Sequence, residues 1–507
     1  MKGHRLLHII PGAITWIVLT SPIWLARPLP LLVAFFITFL TVFWVYRAFI
    51  YIVGLYIGYR RYKREVALNW NERLQKLNKS DLENLQDLPE NLEGIRHLIV
   101  VPLVNEEKVV LYGLIEALAH QTFPISRIFL AFSIEEKFHE KVENTLKQVL
   151  NDFPQLQNVF LFVHPLGLPD EVPGAASNRT WGAKNALEEI KRKNLDPNHF
   201  IITTMDGDAV LDKQYLARLT YEFIVQPKRR NLFFQPAVFL FNNNIWQVPI
   251  LMRIQATSVT LATLAGWVTE PFFKETFSCF SLAFSTLINV NFWDTTITID
   301  DTPLFWRIFN YYHGDFRGVP LFTPVSSDAV EGKSFVDSHI KQYRQLLRWG
   351  WGIIVFPMAI EGLFKARAIS LGERFLWFYR FLERYAIWYT IVILITFGFP
   401  VLAIINPEFK ATTFSFLLPQ ITSYFLTGAL ILLLPGAWFR NKFMIAPPQS
   451  WPKWRRMLAY CEGGLVIVHL FTYVFLPHFH AETLFMLGKS IQKFEFMIKV
   501  RNKNATS

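Results

Sequence analysis

The chain predicts an α/β domain with a doubly wound, Rossmann-like sheet, inserted between transmembrane helices. Three observations carry this. Apolar strand-like runs alternate with helix-length segments from His97 to Gly352, the pattern of βαβ units around a parallel sheet. Both ends of the chain hold uncharged or nearly uncharged stretches long enough to cross a bilayer. The composition is 52% hydrophobic and 16% aromatic, with 48 Phe and 16 Trp. That exceeds ordinary soluble usage and fits contact with lipid, where aromatic rings anchor at the interface.

The 507 residues allow roughly three domains. The formal charge is +11, from 51 Lys+Arg against 40 Asp+Glu. In a membrane protein such an excess sits in cytoplasmic flanks that face anionic lipid. A basic chain also fits nucleic acid, but no nucleic-acid-binding motif is recognisable, and no nucleic acid is expected as a partner. Cys279 and Cys461 lie far apart in the sequence. They build neither a disulfide framework nor a zinc site and read as small buried residues.

Leu6 to Ala26 lacks Asp, Glu, Lys and Arg. A cleaved signal peptide is the rival reading, given Lys2 and Arg5. There is no clear small-residue cleavage site, and a second apolar segment, Leu31 to Tyr59, follows at once. Residues 1–60 therefore read as two transmembrane helices joined by Arg27-Pro28-Leu29-Pro30. Arg60, Arg61, Lys63 and Arg64 then place that side in the cytoplasm. Residues 61–96 form a polar linker. In the domain 97–352, strands are expected at 97–104, 127–132, 159–163, 200–205, 232–240 and 317–324. Helices are expected at 107–121, 137–151, 180–193, 212–226 and 302–311, with a long apolar helix within 244–275 and a small-residue strand–turn–helix at 277–290. Residues 353–384 suit aromatic helices lying in the interface. Within 385–481, the stretches 385–405, 412–439 and 463–481 are long enough to span. The tail 482–507 is basic. Both 440–456 and 489–503 are basic enough to be cytoplasmic, yet one spanning helix separates them. The last segment is then re-entrant, or the helix count is off by one. Asn178-Arg-Thr180 and Asn504-Ala-Thr506 match glycosylation acceptors, accidentally if both are cytoplasmic.

The central stretch is Ile201-Ile-Thr-Thr-Met-Asp206-Gly-Asp208-Ala209. A β-branched run ends in two aspartates around a glycine, at the carboxyl end of a buried strand, where open α/β sheets bind ligands. Two residues apart in extended chain, Asp206 and Asp208 point to one side, and Gly207 admits close approach of a ligand. The pair suits a hard divalent cation, Mg²⁺ or Mn²⁺, completed by substrate phosphates. A plain Asp-Gly turn with solvated acids is the alternative. Further along stand Ile299-Asp300-Asp301, which also reads as a helix start, and Gln345-x-x-Arg348-Trp349, which also reads as an interface anchor.

Taken with Val101-Pro-Leu-Val-Asn105-Glu106, these stretches resemble the membrane-bound family 2 glycosyltransferases, the group of cellulose, chitin and hyaluronan synthases. The resemblance covers residues 97–352. Gln-x-x-Arg-Trp is its most specific element, since in that group it accompanies processive synthesis. The resemblance implies a GT-A fold and an inverting hexosyl transfer from a nucleotide sugar, usually UDP-linked, building polysaccharide at the plasma (inner) membrane with the catalytic domain cytoplasmic. Asp301 matches the family's base position. Asp206 and Asp208 would hold the metal, and Arg348 with Asp206 would meet the donor diphosphate. Asn105, Glu106 and Glu135 would frame the nucleotide, while Gln345 and Trp349 would hold a glycan or lipid-linked acceptor. Export subunits are not specified. The chain departs from the family in two places: Ser133-Ile-Glu135-Glu136 stands where many members place aspartate, and Gly174 to Asn178 lacks a lysine common there, for which Lys184 or Arg179 can substitute. Two other readings are a non-processive transferase acting on a lipid and a catalytically silent scaffold or polymer conduit.

Overall fold

The computed structural model describes residues 5–489. Two helices open the chain, α1 (Arg5–Trp24) and α2 (Pro30–Ala67). Pro30 starts α2 at the position where its missing N–H leaves no backbone bond unmade. The basic run Arg60–Arg64 lies within α2, which continues unbroken toward the soluble domain. A short helix, α3 (Trp70–Gln75), follows and is capped by Asn69.

The domain then alternates as its sequence requires: β1 (Arg96–Leu103), α4 (Lys108–Ala119), β2 (Ile128–Glu135), α5 (His139–Leu150), β3 (Val159–His164), α6 (Ala175–Arg192), β4 (Phe200–Thr204), β5 (Val210–Leu211), α7 (Tyr215–Val225) and β6 (Leu232–Phe239). Every residue of β2 and β4 is buried, which is why they read as unbroken apolar runs. Successive residues of β1 serve opposite faces. Leu98 and Val100 join the core under α6, whereas Ile99 and Val101 join the core under α4, α5 and α7.

After β6 come α8 (Ile250–Thr269), β7 (Phe280–Ala283), α9 (Phe284–Asn289), α10 (Asp301–Tyr311) and β8 (Arg317–Ser326). The sheet has eight strands in the order β3-β2-β1-β4-β7-β6-β8-β5. The first four are parallel. β7 is antiparallel to both β4 and β6, so the sheet is mixed rather than uniformly doubly wound. The reason is the connection. α8 and the loop after it return the chain to the end where β6 stops, so β7 enters between β4 and β6 running the opposite way.

Two boundaries differ from expectation. α6 begins at Ala175, five residues before the anticipated start. α8 is shorter than the apolar run around it, with Pro249 at its N-cap and Pro271 just beyond its end. α8 packs along α2, where a Cβ at Gly54 would lie 2.9 Å from the Ala265 carbonyl oxygen and one at Gly58 would lie 3.2 Å from that of Leu264. This small-x-x-x-small spacing lets the two backbones close together.

The remaining helices are α11 (Phe335–Gly350), α12 (Phe356–Lys365), α13 (Leu371–Leu382), α14 (Trp388–Ile405), α15 (Pro407–Lys410), α16 (Thr413–Leu430), α17 (Leu433–Phe443), α18 (Lys453–Cys461), α19 (Val466–His469) and α20 (Leu476–Leu487). Among the described residues, six helical stretches are long and apolar enough to cross a membrane, where the sequence reading has five. The added one is Phe335–Lys365, with 56% of its apolar stretch buried inside the protein against 11% for Thr413–Phe443. The others expose large apolar side chains such as Phe35, Phe39, Phe416 and Leu434, as lipid-facing helices do. The basic tail beyond residue 489, with Asn504, lies outside the described residues. Asn178 is 1% exposed inside α6, which removes it as a glycosylation acceptor.

Candidate active site

The carboxyl ends of β1, β2 and β4 share one edge of the sheet, and the candidate residues stand there. Past β1, the Glu106 carboxylate accepts the Val104 N–H at 2.8 Å, and Asn105 Oδ1 accepts from Lys141 Nζ at 2.6 Å. Gly207 is required by packing, since a Cβ would come within 2.8 Å of Leu103 Cδ2 and 3.2 Å of Glu106 Cγ. It keeps the end of β4 against the end of β1, so both loops face one space.

Asp208 is 2% exposed, and its Oδ2 accepts the Asp328 N–H at 2.6 Å. Asn243 ties the same corner, donating to the Asp208 carbonyl at 3.1 Å and to Asp328 Oδ1 at 2.7 Å. Asp301 opens α10. Its Oδ2 accepts the Ser278 N–H at 2.8 Å, and its carbonyl accepts from Thr276 Oγ1 at 2.7 Å. These bonds leave the carboxyl of Asp301 fixed in direction.

Arg179 organises the centre. It rises from α6, its side chain 2% exposed, and donates to Asp206 Oδ1 at 2.6 Å. It also pairs with Asp300 Oδ2 and lies 3.6 Å from Asp301 Oδ1. Burial pushes the Asp301 carboxyl up to about 6, and the neighbouring Asp206 charge adds to this, while the Arg179 and Arg348 cations and the Ser278 N–H oppose it. An acid so tuned changes charge near neutrality, as a base for a hydroxyl must.

Glu135, buried at the end of β2, is bridged to Glu171 by His164: Nδ1 lies 3.2 Å from Glu135 and Nε2 lies 3.0 Å from Glu171. Burial works against the imidazolium, but the two carboxylates outweigh it and raise the histidine above its ordinary value. Gln345, Arg348 and Trp349 come from α11. Gln345 is buried with its Oε1 unpartnered among the described residues, and Trp349 packs partly against Leu240 and Leu346.

Asn105, Glu106, Glu135, Asp206, Asp208, Asp301, Gln345, Arg348 and Trp349 all line one cavity of about 1500 Å³. Lys184 does not; its ammonium lies over the Phe292 ring, 5.7 Å from the centroid. Arg179 is the cation that takes the central place. Its signal in the sequence was only its position beside the glycine-rich run. Asn243 and Asp328 carried no local signal, because their partners are 85 and 120 residues away, and His164 carried little, since Glu135 is 29 residues before it and only Glu171 is near, at 7.

Among the described residues, no group of three or more His, Cys, Asp or Glu is placed to hold a metal ion. The acids Asp206 and Asp208, both on the cavity wall, fit a hard cation only with further oxygens from a substrate.

No family model and no curated protein matches the chain. Solved structures give low similarity. A mannosyltransferase from Pyrobaculum calidifontis in complex with GDP-Man and Mn²⁺ is similar at TM-score 0.40 and 12% identity, over 85% of this chain and 99% of that one. S. aureus TarS residues 1–349 with UDP-GlcNAc is similar at TM-score 0.34 and 12% identity, over 78% and 93%. GalNAc-T7 with UDP, GalNAc and Mn²⁺ is similar at TM-score 0.31 and 14% identity, over 59% and 55%.

Proposed function

We propose that the chain is a membrane-embedded, inverting glycosyltransferase that takes a nucleotide sugar, UDP-linked by its motifs, and extends a glycan. The observation that carries this is the meeting of Asp206, Asp301 and Arg348 on one cavity wall, with Arg179 bound to Asp206 and beside Asp301.

Asp301 is the base. Held by the Ser278 N–H and raised to about 6, it takes the acceptor hydroxyl's proton as the oxygen attacks the anomeric carbon. The bond to the nucleoside diphosphate breaks on the opposite face, which inverts the configuration. Arg348 and Arg179 stabilise the charge that gathers on the leaving diphosphate. Bound by Asp206, Asp208 and the diphosphate, a divalent cation would add Lewis-acid stabilisation of that leaving group. Arg179 already occupies Asp206 and Asp300, so donor binding requires its guanidinium to exchange carboxylate for phosphate, a partner it binds in the same forked geometry. Asn105, Glu106 and Glu135 frame the nucleotide, and Trp349 and Gln345 line the acceptor's path.

Asp301→Asn tests the assignment. It should leave donor affinity near wild type while lowering turnover by about 10² or more, the scale of general base catalysis. A variant that lost donor affinity and kept turnover would make Asp301 a donor ligand instead.

A further inference from the structure

The cavity does not end at the acids. It continues past Lys274 to a wall of Trp44, Val392, Ile395, Leu426, Leu430 and Leu433, contributed by α2, α14, α16 and α17. Where the polar and apolar parts meet stands an ionic ring. Glu270 pairs with Arg47 at 2.6 Å and Arg380 at 2.5 Å. Glu383 pairs with Arg47 at 2.8 Å and Arg380 at 2.6 Å. Glu275 pairs with Arg384 at 2.5 Å and accepts from Trp306 Nε1 at 2.5 Å. Each carboxylate thus already serves two donors.

Lys274 is left over. It lies between Glu270 and Glu275 in sequence and lines the cavity, yet makes no hydrogen bond and no ion pair within 4 Å among the described residues. Its ammonium sits over Gly266 of α8, where a Cβ would collide with Nζ. Four cations (Arg47, Lys274, Arg380 and Arg384) therefore face three carboxylates, and the Lys274 ammonium, attracted by Glu270 but touching no carboxylate, lines the cavity. Burial pushes its ammonium down to about 8, still charged at neutral pH. A half-buried ammonium in contact with no anion is costly unless a ligand supplies one.

The ring also sits at a definite depth. From Pro30 to Arg47, α2 rises ~26 Å, close to the ~30 Å of a bilayer's hydrocarbon core. Past Arg47, Leu55 of α2 joins the core that holds Leu98 and Val100, Tyr62 meets Phe239 of β6, and Glu65 pairs with Arg218. With Pro30 taken as the far end of the span, Arg47 falls at the near headgroup level.

We propose that this end of the cavity binds a lipid with a phosphate headgroup, the phosphate on Lys274 and the hydrocarbon tail along the apolar wall. Ser278, whose N–H holds Asp301, is four residues from Lys274, at most ~14 Å of chain. A sugar carried on that headgroup can therefore reach the base. The acceptor role rests on the sugar-transfer reading; the lipid site itself does not.

The test uses the full chain in neutral detergent and three probes: a prenyl monophosphate, the uncharged prenol of the same length, and inorganic phosphate. Binding is followed by native mass spectrometry. Prenyl phosphate should bind saturably, and Lys274→Gln should weaken it about tenfold, the scale of one charge-assisted hydrogen bond. Lys274→Arg should restore it, and Gly266→Ala, which displaces the ammonium, should weaken it. The exposed control Lys365→Gln should change nothing, and thermal melts confirm folding. Equal binding by wild type and the folded Lys274→Gln variant overturns the proposal. So does prenol binding as tightly as its phosphate, which leaves only a hydrocarbon groove, or displacement by inorganic phosphate, which makes this a site for free phosphate. In the same preparation, Asp301→Asn should keep lipid binding while losing transfer. Lysine-dependent binding without transfer by the wild type retains the lipid site and rejects the transferase. Transfer without lysine-dependent binding does the reverse.

Discussion

Asp301 and Arg179 set the chemistry at the scale of single residues. Because Asp301 is raised to about 6, its base form fills as pH rises through that value. Turnover at saturating acceptor should therefore climb through an apparent pKa near 6 and then level. Arg179 lowers the Asp301 value, so Arg179→Met should move this rise to higher pH and weaken donor binding, and Arg179→Lys should do less of both. A pH–rate profile unmoved by Arg179→Met would leave the arginine a structural strut. Residues 206, 208 and 301 were legible in the sequence because short spacing at a strand end and a helix start is local information. Arg179 was legible only as a substitute for an absent lysine. Its three carboxylate partners come from two separate segments, and only the fold brings them to one guanidinium.

Elements decide how these residues are held. The segment from β3 to α6 is pinned by His164 between Glu135 and Glu171. The histidine value is raised, so the stabilisation is full below the ordinary value of ~6.5 and is lost as pH rises through the folded value. Amide protection in 165–174 should fall as pH rises past the ordinary histidine value of ~6.5 and through the raised folded value, and His164→Gln should abolish that dependence. Equal protection below and above those values would contradict it. α11 carries Gln345, Arg348 and Trp349 on one helix, with the ring of Trp349 shared between the cavity and the packing around Leu346. Trp349→Ala should cut glycan elongation, per folded molecule, far more than uncoupled donor hydrolysis. Unchanged product length would assign the ring to packing alone. The sequence placed most strands closely, because buried parallel strands are continuous apolar runs. It missed the early start of α6, because glycine and proline before residue 175 masked it. It read 277–290 as a strand–turn–helix, where β7 and α9 stand, but not the antiparallel direction of β7, since that depends on where α8 returns the chain.

Across the whole molecule, one cavity runs from the acids at the sheet edge to the apolar helices α2, α14, α16 and α17. The membrane helices were legible from apolar length alone. The status of Phe335–Lys365 was not, because it is apolar enough to span yet mostly buried against the rest of the chain. Nor was the ionic ring around Lys274, since its members come from α2, the loop after α8 and the helices from 371 onward. Asp301 and its neighbours are proposed to transfer a sugar from a nucleotide donor. The most direct measurement incubates purified full-length protein in nanodiscs with Mn²⁺ and each of a panel of labelled nucleotide sugars, scoring released nucleotide and labelled product, with Asp208→Asn and Asp301→Asn alongside. At least one donor should be turned over by the wild type, with Asp208→Asn inactive and insensitive to metal and Asp301→Asn slowed by about 10² or more. No turnover of any donor by the wild type, or equal turnover by all three proteins, would contradict it.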